Sequence, residues 1–138
     1  EVFDRVLGER PNQLERQRGG HLVVVTSVAA ERGRPRNYTY AAAKSALNTY
    51  LQGLRSRLYS AGVEVHTIKL GPVETPMTET HPKNALFSDV PTVARLIVRA
   101  VEAGRAEAYV PGFWRPIMFV VRNLPELLFQ RIGALSQR

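Results

Sequence analysis

No cysteine occurs in the 138 residues, which excludes disulfides and thiolate metal sites and leaves a reducing cytosol as the default compartment. Lysine is nearly as scarce: of nineteen basic residues only Lys44, Lys69 and Lys83 are lysines. A lysine kept against that background marks a place where a compact ammonium is wanted and a planar guanidinium does not fit. Long apolar runs are missing as well. An uncharged stretch such as residues 116–121, between Arg115 and Arg122, is far too short to span a bilayer. His21, His66 and His81 are too scattered for a recognisable metal motif, and the first two sit inside strand patterns. They read as structural, and no metal is expected. The charge of +7 is dispersed through the predicted elements instead of gathered into a stripe, so nucleic acid is not an expected partner.

What is present suits one small globular unit. With 44% hydrophobic content the chain can bury a single core, so residues 1–138 are expected to form one domain without internal repeats. Leu22, Val23, Val24 and Val25 follow two glycines as a continuous aliphatic run, the mark of a strand buried on both faces of a parallel sheet, here over residues 21–29. Residues 40–59 carry Ala43, Leu47, Tyr50, Leu51, Leu54 and Leu58 at helical spacing, with Gly62 as a stop. Residues 63–70 read as a second strand. Residues 91–103 read as a helix that Ser88 or Asp89 can cap and Gly104 can end, and residues 108–110 as a short last strand. Strand, helix, strand, helix, strand implies an α/β fold with a parallel sheet and right-handed crossovers. Ligands in such sheets bind beyond the carboxyl ends of the strands, where Ser27 and residues 71–75 fall.

The chemistry concentrates in Tyr40-Ala-Ala-Ala-Lys44, with Ser27 thirteen residues upstream. Positions i and i+4 share one helix face, so a phenol and an ammonium project side by side. A fixed cation beside a phenol favours loss of the phenolic proton, which is what a tyrosine needs to serve as proton donor and acceptor near neutrality. Ser27, Tyr40 and Lys44 are therefore the candidate catalytic residues of an oxidoreductase. A bland reading of each stays open: Ser27 ends a strand and Lys44 is a solvated helix lysine. Thr75, further on, caps a short helix starting at Pro76.

In order and context these segments resemble the short-chain dehydrogenase/reductases over roughly residues 21–110. His21 to Ala29 looks like the family's catalytic-serine strand, Tyr40 to Lys44 like its Tyr-x-x-x-Lys, and Leu70-Gly71-Pro72-Val73-Glu74-Thr75 like its Pro-Gly-x-x-x-Thr loop, with Leu70 in place of the proline. The resemblance implies a Rossmann-type doubly wound sheet and hydride transfer between NAD or NADP and a ketone or secondary alcohol. By the same resemblance Ser27 bonds the substrate oxygen, Tyr40 passes the proton and Lys44 holds the nicotinamide ribose. Gly71, Pro72 and Val73 line the cofactor, and Thr75 bonds its carboxamide. The family's glycine-rich turn, Gly-x-x-x-Gly-x-Gly, is nowhere in the chain, which therefore looks like the C-terminal half of such a domain. The charged residues 1–18 then read as a remnant of the helix that carries the family's catalytic asparagine. Asn12 lies too near Ser27 to inherit that role. In the family the Tyr-Lys helix commonly pairs subunits, so a homo-oligomer through residues 40–59 is expected, along a small-residue strip of Ala42, Ala46, Thr49 and Gly53.

The apolar, arginine-punctuated residues 111–138 form a tail with two readings. It is a pair of helices over the substrate cleft or against a partner, or an interfacial segment with Phe113 and Trp114 at headgroup depth. Tail, Ser27 to Arg34, and Asn37-Tyr38 together are similar to the family branch that includes the decaprenylphosphoryl-2-keto-erythro-pentose reductase, which implies a lipid-linked ketone. The expected location is the cytoplasm, with peripheral contact at the inner face of the membrane if the tail meets lipid. The rival to catalysis is a non-catalytic truncated fragment serving only dimerisation or membrane association.

Overall fold

The computed structural model describes residues 8–78 and 85–135. Three strands, β1 (Gly20–Ser27), β2 (Val63–Leu70) and β3 (Glu107–Val110), pair in that order and all in parallel. Among the described residues five α-helices accompany them: α1 (Arg10–Gln17), α2 (Tyr38–Leu58), α3 (Val90–Glu102), α4 (Trp114–Asn123) and α5 (Glu126–Leu135). Ser27 pairs with Leu70 and Leu70 with Val110, so the three strands end together at one rim.

Side chains alternate along a strand, and the two faces of the sheet take different helices. On one face Leu51, Leu54 and Leu58 of α2 pack against Leu22, Val63 and Val65. On the other, Val93 and Ala100 of α3 pack against Ile68, Ala108 and Val110. The arrangement is the expected α/β fold with helices on both faces of a parallel sheet. Burial on both faces holds for β2 but not for β1, where Val23 and Val25 remain 39% and 43% exposed. They share the α3 face, and α3 packs over β2 and β3.

Most boundaries shift by a residue or two. β1 stops at Ser27, not Ala29, because the Ser27 hydroxyl accepts a hydrogen bond from Ala29 N (3.1 Å) and turns the chain into a 3-10 helix, Val28–Glu31. α2 begins at Tyr38, and after Leu58 it tightens into a 3-10 turn that Gly62, at φ 69, ends. Of the two candidate caps for α3, Asp89 does the work: Thr92 N donates to its Oδ1 at 2.8 Å. That bond holds the Asp89 carboxyl below its ordinary range. Part of the charged N-terminal stretch is helical, with Pro11 in the first turn of α1, where its missing N–H costs nothing.

The tail is two helices, and its only tryptophan is not at a lipid surface. Trp114 is 6% exposed and packs with Val28 and Met118 in a third cluster beside the sheet. Arg32 fastens the joint between α4 and α5. Its guanidinium donates to Val121 O (2.8 Å), Leu124 O (2.6 Å) and Glu126 Oε2 (2.6 Å), and lies 3.9 Å from the Phe129 ring centroid. Phe119 and Leu127 stay outside, 70% and 73% exposed. Among the described residues no helix is long and apolar enough to cross a membrane.

Candidate active site

Parallel register places Ser27, the last residue of β1, beside the start of the loop that follows β2. The Ser27 hydroxyl is half-buried and donates only weakly, at 3.5 Å, to Leu70 O. The loop is pinned in three places. Gly71 N donates to Val110 O (3.0 Å), Ser88 N to Pro72 O (3.1 Å) and Glu74 N to Ser88 O (2.9 Å), so Val73 and Ser88 form an isolated parallel bridge. Thr75 then opens a 3-10 turn, Pro76–Thr78: its carbonyl accepts from Thr78 N (2.9 Å) and its N–H donates to the Thr78 hydroxyl (3.1 Å).

α2 returns from this rim. Its buried stripe runs through Ala41, Asn48, Leu51, Leu54 and Leu58, while Tyr40 and Lys44 flank that stripe and stay reachable from solvent. The Lys44 ammonium lies over the Tyr40 ring, 5.7 Å from its centroid, within the range of a cation–π contact. The fold thus brings Ser27 to the loop of Gly71, Pro72, Val73 and Thr75, and Tyr40 to Lys44, at the end of the sheet where its class binds ligands. Asn12 is elsewhere: on α1 it bonds Glu9 (3.1 Å) and Arg57 (2.8 Å), the latter near the far end of α2.

Three features of this region escaped the sequence reading. Gly71 faces Trp114 so closely that a Cβ there would fall 2.0 Å from the indole Nε1, so only glycine fits. Asn37 and Asn48 each bury a side-chain oxygen with no hydrogen-bond partner among the described residues. Lys69 is buried in a charge cluster, its Nζ 2.8 Å from Glu31 Oε1 and 2.9 Å from Glu107 Oε2. Tyr109 donates to Glu31 Oε1 (3.0 Å), and Arg122 pairs with Oε2 (3.2 Å). Burial works against the Lys69 charge, but the two carboxylates outweigh it and raise the ammonium above its ordinary 10.5. The cluster ties the segment after Ser27 to β2, β3 and α4. The scarcity of lysine, which singled out Lys44, was the available signal for Lys69 too. One hollow in the surface, of about 500 Å³, opens beside Lys69, Glu107 and Tyr109, and another, of about 230 Å³, beside Pro11 and Tyr50.

Residues 8–85 match the short chain dehydrogenase family, and the chain belongs to it. An uncharacterized oxidoreductase of Streptomyces coelicolor is 36% identical over 120 residues, 86% of this chain and 47% of that protein. One from Mycobacterium tuberculosis is 34% identical over 113 residues, 82% of this chain and 45% of its own. The fold superposes on a short chain dehydrogenase from Burkholderia cenocepacia, solved in complex with NADP, with a TM-score of 0.79 at 24% identity, over 94% of this chain and 54% of that one. The chain spans about half the length of the curated relatives it matches.

Proposed function

We propose that the whole protein is a nicotinamide-dependent oxidoreductase that interconverts a ketone and a secondary alcohol. The observation that supports this reading best is the placement of Tyr40 and Lys44 one helical turn apart at the rim where Ser27 ends β1. The nicotinamide end of NAD or NADP fits the groups present. Lys44 offers an ammonium to ribose hydroxyls from an accessible helix flank, and residues 71–75 offer a pinned backbone with Thr75 at its end. Bound there, the nicotinamide supplies or receives the hydride. Ser27 would turn its hydroxyl from Leu70 O, a contact already 3.5 Å long, to the substrate oxygen. In reduction Tyr40 gives that oxygen its proton, and in oxidation it takes one back. Lys44 binds the ribose from the same helix face, one turn along from Tyr40.

Two finer features belong to the same proposal. The strip of Ala42, Ala46, Thr49 and Gly53 lies exposed on α2, which suits pairing of two copies through that helix. The substrate is a small-molecule or lipid-linked ketone or alcohol, and the exposed Phe119, Val120, Leu127, Leu128 and Ile132 of α4 and α5 supply an apolar surface for peripheral membrane contact on the cytoplasmic side.

In the whole protein, Lys44→Met should raise KM for the cofactor and lower kcat together. Ser27→Ala should lower kcat with cofactor affinity little changed. No turnover of any ketone or alcohol with either cofactor, or turnover undiminished in both variants, would replace this reading by a non-catalytic one.

A further inference from the structure

We propose that His21, Glu64 and His66 form a zinc site on the sheet, at the end of the strands opposite Ser27 and Tyr40. Parallel register sets His21 directly beside Glu64, and His66 lies two residues further along β2 on the same face. Three donor atoms meet above two adjacent strands. His21 Nδ1 is 3.0 Å from His66 Nε2, and Glu64 Oε2 is 3.9 Å from the first and 3.6 Å from the second. A triangle with those sides has a circumscribed radius of about 2.1 Å, so one point is equidistant from all three atoms at the length of a zinc bond to imidazole nitrogen or carboxylate oxygen. The carboxylate is too far from either ring for a hydrogen bond, yet correctly spaced for ligands that share one ion.

The surroundings suit an ion as well. His66 is 1% exposed and donates from Nδ1 to Arg105 O at 2.8 Å, in the turn after α3. That bond keeps the proton on Nδ1 and leaves the Nε2 lone pair directed at His21, the outer-sphere arrangement of a metal-binding histidine. The 3.0 Å contact between His21 Nδ1 and His66 Nε2 is the one that zinc would replace. The His21 and Glu64 side chains are each 52% exposed, so a fourth position is open to water. Two imidazoles, one carboxylate and a free position make a donor set that Zn²⁺ accepts and Mg²⁺ does not favour. The site lies six residues along β1 from Ser27, roughly 20 Å away, and stands independently of the proposed hydride transfer.

Calorimetric titration of the tag-free whole protein with Zn²⁺, paired with thermal unfolding, tests this. One saturable equivalent per chain is expected, with a higher Tm when it is bound and no response to Mg²⁺ at the same concentration. His21→Ala and Glu64→Gln should each weaken Zn²⁺ at least tenfold and abolish the Tm increase while turnover without added metal stays unchanged. Replacement of the buried His66 risks the fold, so the two exposed ligands carry the test, with circular dichroism confirming that both variants fold. No saturable binding, or Zn²⁺ binding as tight in both variants as in the wild type, would overturn the site.

Discussion

Any side chain at Gly71 meets Trp114, because a Cβ would fall 2.0 Å from the indole nitrogen. Gly71→Ala should therefore cost about 1–3 kcal/mol through overpacking, read from urea unfolding, and disturb the loop to Thr75 as well. An unchanged midpoint would mean that Trp114 moves aside freely. The buried cluster around Lys69 makes a second prediction, about pH. Burial opposes ionisation of Glu107, but the hydrogen bond and charge of Lys69 hold its carboxyl below the ordinary 4.5. Its contribution to stability is present above pH 4.5 and is lost as pH falls through the lower folded-state value. Lys69 has the opposite sign: raised above 10.5, it contributes below that pH and ceases to do so as pH rises through the folded-state value. Unfolding free energy should fall at both extremes, and Glu107→Gln should flatten the acid side. Identical acid slopes in the two proteins would count against the pair. Lys69→Met, which leaves Glu31 with Arg122 and the Tyr109 hydroxyl alone, should cost about 1–3 kcal/mol.

The joint between the two C-terminal helices is held by Arg32, just after β1. Arg32→Ala removes hydrogen bonds to two backbone carbonyls at the α4–α5 joint and should cost about 1–3 kcal/mol. Hydrogen exchange should speed up in both helices and remain slow in the sheet; equal acceleration everywhere would show that Arg32 supports the whole fold. Within α4, Trp114→Ala should cost about 3–5 kcal/mol, whereas Phe119→Ser should stay within about 0.5 kcal/mol, since one ring is core and the other is solvent-exposed. This split was invisible in the sequence, because a lipid-facing helix and a core-covering helix use the same residues. Local chemistry was legible by contrast. The four-residue spacing of Tyr40 and Lys44, the stop at Gly62 and the cap at Asp89 act within a turn of chain. What joins distant positions was not. Strand register brings together His21 and His66, 45 residues apart, and the approach of α4 to the sheet makes Gly71 obligatory. His81 and residues 79–84 fall outside the described residues.

At the scale of the molecule, a parallel sheet with its strands ending in one rim collects Ser27, the loop of Gly71 to Thr75, and the helix of Tyr40 and Lys44 from separate stretches of sequence. The family motif marked these residues, and the register explains why the serine and the loop converge. Because the chain covers about half of its relatives' length, catalysis has to be measured on the whole protein. The exposed strip on α2 predicts self-association there, and sedimentation of the whole protein as a monomer at high concentration would argue against it. The most direct test of the central claim is the turnover of Tyr40→Phe. Tyr40 is 45% exposed, so loss of one hydroxyl should leave the fold and the melting temperature intact. If its phenol carries the proton, kcat should fall about 10²–10⁴-fold with cofactor binding largely retained. A Tyr40→Phe protein that turns over ketone or alcohol at the wild-type rate would contradict the account.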